Sequence, residues 1–447
     1  MIIAHIHPPS LIARKWVLHP DYGDQVIKTR STYLLDAHNS EYCKNNDVIF
    51  YDVGQDYNLI SNRLDSFVDK SLLDKIKNKK ALLAIDQTEE SFYIIPELIY
   101  KHLIIEQELP AESILLICHS FDMVDKINEL SVMYNLPKIK CEFYGFWERQ
   151  HKLTLIRTMN SLGVYDLEKI SQVITSGLYQ QTTKKYLSLN NTWREHRFAL
   201  LCLLESKNLL GKGHLSFSLS PHKIGFSSPS SQKTSPFQGK LAKSKTLETK
   251  EKEALDNDWN HWIDVTKRCF PKIANEIEQG TVAKNRLPML LDSNDMGIYL
   301  CWVDHTYLLK YFKNSYFSIV TETGYMTYIP KYAPTQFLYA GHTSPRYISE
   351  KVFKSIGSKH PFLFASLPNS LEIFNRLGYK TFEDIIDQSY DQEYDDSLRL
   401  LKIANETERL SNLRGQDLED FKNKCKPIVE HNFETFLNRQ NYIIKLI

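Results

Sequence analysis

Three small groups of polar residues in this chain have the types and spacing to handle phosphate and hydroxyl groups. Ser349, Glu350 and Lys351 stand together just ahead of Val352, Phe353 and Ile356, an apolar set at helical spacing. An acid beside a base suits a nucleotide diphosphate, because the carboxylate accepts from ribose hydroxyls while the ammonium meets phosphate oxygens. Glu322 follows the apolar run Tyr316, Phe317, Ile319, Val320 and stands where a buried strand would end. Arg194 and Arg197 come soon after Asn190, where two guanidiniums would lie beside the free N–H groups of a helix start. Each group has a plainer reading. Glu350 and Lys351 can be helix-terminal charges worth up to about 1 kcal/mol, the arginines surface ion pairs, and Glu322 a turn cap.

The elements around these groups alternate. The strand at 316–320 is followed by a loop, a helix from Ile348 stopped by Gly357, a strand at Pro361–Ala365, and a helix capped by Asn369 or Ser370 and stopped by Gly378. Upstream, Tyr186–Leu189 reads as a strand. A Thr192-x-x-Glu195 capping box predicts a helix from Trp193 to Leu210, with Gly211 as its stop and Leu215–Phe217 as the next strand. This is the rhythm of a parallel sheet with crossover helices, which binds ligands at the carboxyl ends of its strands. All three polar groups fall on that edge.

Residues 1–180 repeat the alternation, with strands expected at Ile2–Ile6, Val48–Val53, Ala81–Ile85, Ser113–Cys118 and Ile139–Tyr144. Helical segments are expected at Ile60–Lys80, Ile94–Glu108 and about 151–177. Asp86, Glu89, His119 and Glu148 follow strand ends, with Asp36 and His38 as further acid–base candidates. His5 and His7 share a strand face but are too few for a metal site. Asp391, Glu393, Asp395 and Asp396 read as a solvated helix start rather than a divalent-ion site.

Composition sets the frame. The 447 residues are 42% hydrophobic and 24% charged, with a net charge of +1, so no global field favours nucleic acid or membrane. The apolar run Phe198–Leu204 is far too short to span a bilayer, and the N-terminus lacks a signal-peptide pattern. Seven scattered cysteines without a CxxC pair point to reduced packing residues and a cytoplasmic setting. Residues 219–256, rich in Ser, Pro, Lys and Gly, read as a flexible surface insertion or a basic arm for a polyanion. The expected organisation is a domain at 1–180, a second at 181–400 carrying the insertion, and a helical tail at 401–447.

The order of a Glu-bearing turn after a strand, Ser349–Glu350–Lys351 opening a helix, Gly357, and a strand begun by His360–Pro361 resembles the donor-nucleotide domain of GT-B glycosyltransferases. The fucosyltransferase-like and phage-encoded members are the nearest in pattern. The run Asn190-x-x-x-Arg194-x-His196-Arg197 resembles the same phage-encoded group, and the likeness covers about residues 185–399. It implies an α/β fold of two Rossmann-like domains facing a cleft. A UDP- or GDP-linked sugar would be held by Asn190, Arg194, Arg197, Glu322, Ser349, Glu350 and Lys351. Transfer to a hydroxyl would need no metal, and its base would be Asp86, Glu89 or His119. The phage-encoded members suggest 5-hydroxymethylcytosine in double-stranded DNA as acceptor, with a glycan as the alternative. A different class of function, a non-catalytic nucleic-acid-binding protein on this fold, would bind with steep salt dependence. A phosphoryl transferase lacks its cradle, since neither GxxxxGK[ST] nor GxGxxG occurs.

Overall fold

The computed structural model describes residues 2–6, 36, 39–52, 60, 63–66, 68–87, 94–176, 182–190, 193–217, 249–286, 305–330, 345–346 and 348–447. The chain divides into two compact units. The first comprises Met1–Gln150, Pro345–Ile348 and Arg439–Ile447, and the second His151–Ser344 and Ser349–Asn438. Both are α/β, each built on a largely parallel sheet. No helix among the described residues is long and apolar enough to cross a membrane.

In the first unit, β1 (Ile2–Ile6), β2 (Asp47–Asp52), β3 (Ala81–Gln87), β4 (Ile114–Cys118) and β5 (Lys140–Tyr144) are parallel and lie in sequence order. Every residue of β3 and β4 is buried, which is why β4 throughout and β3 as far as Ile85 are continuous apolar runs rather than alternating ones. Of the expected helices, 60–80 shrinks to Lys70–Lys77, and 94–108 begins at Ile94–Leu98 and continues as a wider π-turn to Ile105. The sheet closes unexpectedly. Residues 443–445, expected within a helical tail, form strand β10 (Ile443–Lys445), antiparallel to β5 with Ile443 opposite Tyr144. Tyr442 and Ile443 then complete a core with Val48, Phe50, Leu82, Leu115 and Ile117. Arg346 fastens its short segment to the same unit, its Nε 2.9 and 3.0 Å and its Nη2 2.6 Å from the Asp122 carboxylate.

The second unit begins inside the helix Phe146–Ser161, so the helices expected before a boundary at 180 group with this later unit. Its sheet holds β6 (Tyr186–Leu189), β7 (Gly213–Ser216), β8 (Phe317–Thr321) and β9 (Phe362–Ala365), all parallel, in the order β7-β6-β8-β9. Helix α1 (Glu195–Ser206) links β6 to β7 and is buried from Glu195 through Glu205. A helix apolar all round must be a core helix, and helices from 249–279 and 396–411 pack on it. Its entry is fixed by Trp193, fully buried among Phe198, Phe217, Trp259 and Trp262. The expected capping box does not start this helix: its N-cap is Arg194, without a side-chain cap bond, and Thr192 lies outside the described residues. Helices α2 (His305–Lys313) and α3 (Glu350–Ile356) flank β8 in sequence. Of the expected insertion, 219–248 lies outside the described residues, while 249–256 is already helix.

Candidate functional site

β7 and β8 lie on opposite sides of β6, so the direction of winding reverses between β6 and β8. In open α/β sheets that reversal leaves a crevice beyond the carboxyl ends of the strands, where ligands bind. The described strands β1 to β5 of the first unit show no such reversal. Asn190, directly after β6, stitches the switch point together. Its Nδ2 donates to Ser188 Oγ at 3.0 Å, its Oδ1 accepts from Thr321 Oγ1, and its backbone N donates to Ser216 O at 3.1 Å. It joins the ends of three strands and is buried, which makes it a brace more than a ligand contact.

Glu322, the residue after β8, is wholly buried. Its Oε1 accepts from Ser349 N at 2.9 Å, and its Oε2 from Ser349 Oγ at 2.7 Å and Thr323 N at 3.2 Å. The expectation that Glu322 meets ribose hydroxyls does not fit these surroundings, because its oxygens are taken by the segment that opens α3. Ser349 is likewise consumed. Its hydroxyl donates to Glu322 and accepts from Lys351 N at 3.4 Å and Lys351 Nζ at 2.9 Å, filling one donor and two acceptor positions.

Glu350 and Lys351 are the members that reach the surface, their side chains 17% and 22% exposed. Lys351 Nζ lies 3.2 Å from Glu350 Oε1, 3.7 Å from Glu322 Oε2 and 3.3 Å from Thr323 Oγ1. Burial opposes ionisation of Glu350, but the Lys351 and Lys354 ammoniums and hydrogen bonds from Lys351 and Ser349 outweigh it and hold its carboxyl at about 2. Glu350 is therefore a carboxylate, an acceptor only, at any ordinary pH.

The start of α1 faces the same place from β6. Arg197 is buried, and its Nη2 donates to Thr321 O at 3.2 Å and Glu322 O at 3.3 Å. The phosphate role expected for Arg197 thus competes with its hold on the end of β8. Arg194, at the N-cap, is half-buried. His196, part of the same run but given no role from the sequence, has its Nε2 2.9 Å from Glu322 O, and its ring stacks on Tyr325 at 4.9 Å. A carbonyl partner requires that Nε2 carry the proton, and burial together with Arg197 and Arg194 holds this imidazole well below its usual range, hence neutral. Arg399 was missed as well. Fully buried, it donates to Ser366 O at 3.0 Å, Glu393 O at 2.9 Å and Tyr325 O, and pairs with Asp396 at 2.6 Å. The signal for both was weak in sequence, since a lone His or Arg on an amphipathic stretch is ordinary.

The acid–base candidates of the first unit do not gather in the same way. Asp86 lies within β3, paired in register with Ile117, and His119 follows β4; they are 4% and 2% exposed. Glu89, His38 and His7 lie outside the described residues, and of His5 only the strand is described. Asp36 accepts from Tyr144 OH at 2.8 Å and pairs with Arg149 at 2.6 Å, and Glu148 pairs with Arg439 at 2.5 Å. The acidic run after Tyr390 is structural rather than merely solvated: Asp391 accepts from Leu371 N, Asp395 caps the helix Asp396–Ser411, Asp396 holds Arg399, and Glu393 pairs with Lys402. No family model and no curated protein matches the chain.

Proposed function

We propose that this chain is a nucleotide-sugar-dependent glycosyltransferase whose donor binds at the switch point of the second unit. The observation that supports it most is the Glu350–Lys351 pair, held at that edge by the buried Glu322–Ser349 contact and about one-fifth exposed to solvent. Lys351, whose ammonium is already paired with Glu350 at 3.2 Å and lies 3.7 Å from Glu322, meets the diphosphate as part of this mixed-charge group. Arg194 adds a second positive group. Glu350 accepts from sugar or ribose hydroxyls. In the transfer, the acceptor hydroxyl oxygen bonds to the anomeric carbon and gives up its proton to water, the bond from that carbon to the diphosphate breaks, and the leaving diphosphate takes the electron pair. Lys351 and Arg194 stabilise the charge that appears on it, the kind of contribution that usually dominates such catalysis. Asn190, Ser349, Arg197 and Glu322 support the site from behind. Asp86 and His119 are too deeply buried to be given the role of base here. The GT-B arrangement, the absence of a metal requirement and the acceptor, a hydroxymethylated base of DNA or a glycan, belong to this proposal on the strength of the sequence resemblance.

Thermal melting with UDP, GDP, CDP and their common sugars tests the reading. A ligand at about 100 times its dissociation constant adds roughly 2.7 kcal/mol, a shift of several degrees that Lys351→Met and Glu350→Gln should each remove. Sugar release from the responding donor, with hydroxymethylated DNA or glycan supplied, then identifies the acceptor. Flat melting curves with every nucleotide, or shifts unchanged in both variants, would sink the proposal.

A further inference from the structure

On one face of the second unit's sheet, a small crevice, its mouth open to solvent, lies over β6 and β8 and is lined by α2 and α3. Leu187, Leu189, Val320 and Phe312 give it an apolar floor and wall, while α3 contributes Lys351 at the edge shared with the switch point, and Lys354 and Ser355 beyond it. Lys354 is only 8% exposed, yet it makes no hydrogen bond or ion pair with any described residue. The fold treats another buried lysine very differently. Lys359, 2% exposed, has Glu430 at 2.5 Å, Ser171 at 2.7 Å and Thr175 at 2.9 Å. The Lys354 ammonium thus opens on the crevice with no polar group of the described residues against it, whereas charges set among apolar side chains are as a rule paired. Ser355, 1% exposed, is in the same position: its hydroxyl has no hydrogen-bond partner among the described residues. Glu350, one turn earlier on α3, feels the Lys354 charge without touching it.

We propose that this crevice binds a small anionic group, a carboxylate or a phosphoryl group, with Lys354 as its counter-cation and Ser355 as a neutral donor. The apolar floor takes the carbon skeleton that carries the anion. Leu189 and Thr321, the last residues of β6 and β8, line the crevice, so it adjoins the switch point. In one form this rests on the transferase reading: the anion is then part of the sugar nucleotide. In the other, it belongs to a separate small acid, and the site exists whether or not a nucleotide binds.

The test is titration of the full chain, at constant ionic strength, with inorganic phosphate and separately with glucuronate, followed by melting temperature. The wild type should be stabilised saturably by one of them, and the one that acts identifies the group. Lys354→Met should weaken that response by about thirtyfold or more, as loss of one partner of a buried charge pair does, while Lys354→Arg keeps most of it. With no anion added, Lys354→Met should melt within a few degrees of wild type, because the attraction it loses to Glu350, which it does not touch, is partly offset by the fit of methionine against the apolar floor. Should the Met variant fail to fold, the wild-type titration still decides. No saturable stabilisation by either anion at tens of millimolar, or an equal response in Lys354→Met, overturns the proposal. Glu350→Gln separates the two readings: it should abolish nucleotide binding and leave the anion response in place. An anion response in a chain that binds no nucleotide would discard the transferase and keep this site.

Discussion

Glu322 has no exposed surface, yet the switch point depends on it more than on any residue that reaches solvent. It joins the end of β8 to the start of α3 through the backbone N and hydroxyl of Ser349, and so sets where Glu350 and Lys351 emerge. Removing it leaves the Ser349 amide and hydroxyl without their buried acceptor and takes one of two carboxylates from beside the Lys351 ammonium. Glu322→Ala should therefore cost about 3 kcal/mol, within the range for breaking buried polar and charged contacts. Lys351→Met, which gives up a mostly buried ion pair but leaves Glu350 the nearby Lys354 charge, should cost less, about 1.5 kcal/mol. Urea unfolding followed by tryptophan fluorescence reads this directly, since Trp193, Trp259 and Trp262 all report from the core of the second unit. Equal losses for the two variants would mean that Glu322 is no more than a surface cap.

At the scale of elements, the second unit is organised by what can approach the buried helix α1. The turn Gly280–Arg286 lies against it so closely that a Cβ added at Gly280 would overlap the backbone carbonyl of Cys202. Backbone cannot swing aside as a side chain can, so Gly280→Ala should cost about 3 kcal/mol, the upper range for overpacking. Gly211→Ala, with open space around its Cβ, should change stability by less than about 0.5 kcal/mol. Comparable melting temperatures for the two would show that the turn is free to move off α1. The strands that carry the candidate site were legible in the sequence because each is a short, doubly buried apolar run between charged segments. β10 was not, since three residues after a long amphipathic stretch carry no period of their own. Its identity comes from pairing with β5, some 300 residues earlier. The polar groups were found by type and place, but their duties were not. Whether Glu322 and Arg197 face a ligand or the protein depends on partners 27 and 124 residues distant.

For the molecule as a whole, the marked histidine shifts run in one direction. Burial lowers His360 from 6.5 to about 4, and it lowers His196 and His214 as well. His360 is fixed neutral, with Nε2 donating to Ser315 O at 3.0 Å and Nδ1 facing Ser318 Oγ at 2.8 Å. In the unfolded chain these imidazoles take up protons near 6.5, so between that pH and about 4 the unfolded state binds more protons than the folded one. Stability is thus fully present above 6.5 and falls as the pH drops through the window, with His360 alone contributing about 3 kcal/mol. Urea midpoints at pH 7, 5.5 and 4.5 should fall accordingly, and His360→Asn should flatten the slope; equal midpoints at pH 7 and pH 5 would refute this. The closing strand β10 has a consequence for the order of events on the ribosome. Domains usually fold as they emerge, N-terminal first. Here the first sheet cannot pair its β5 edge, and Glu148 cannot meet Arg439, until residues 439–447 have been made. By then all of the second unit, to Asn438, has already been synthesised. The unit that begins first is therefore finished last, and through most of its synthesis it waits with one sheet edge bare.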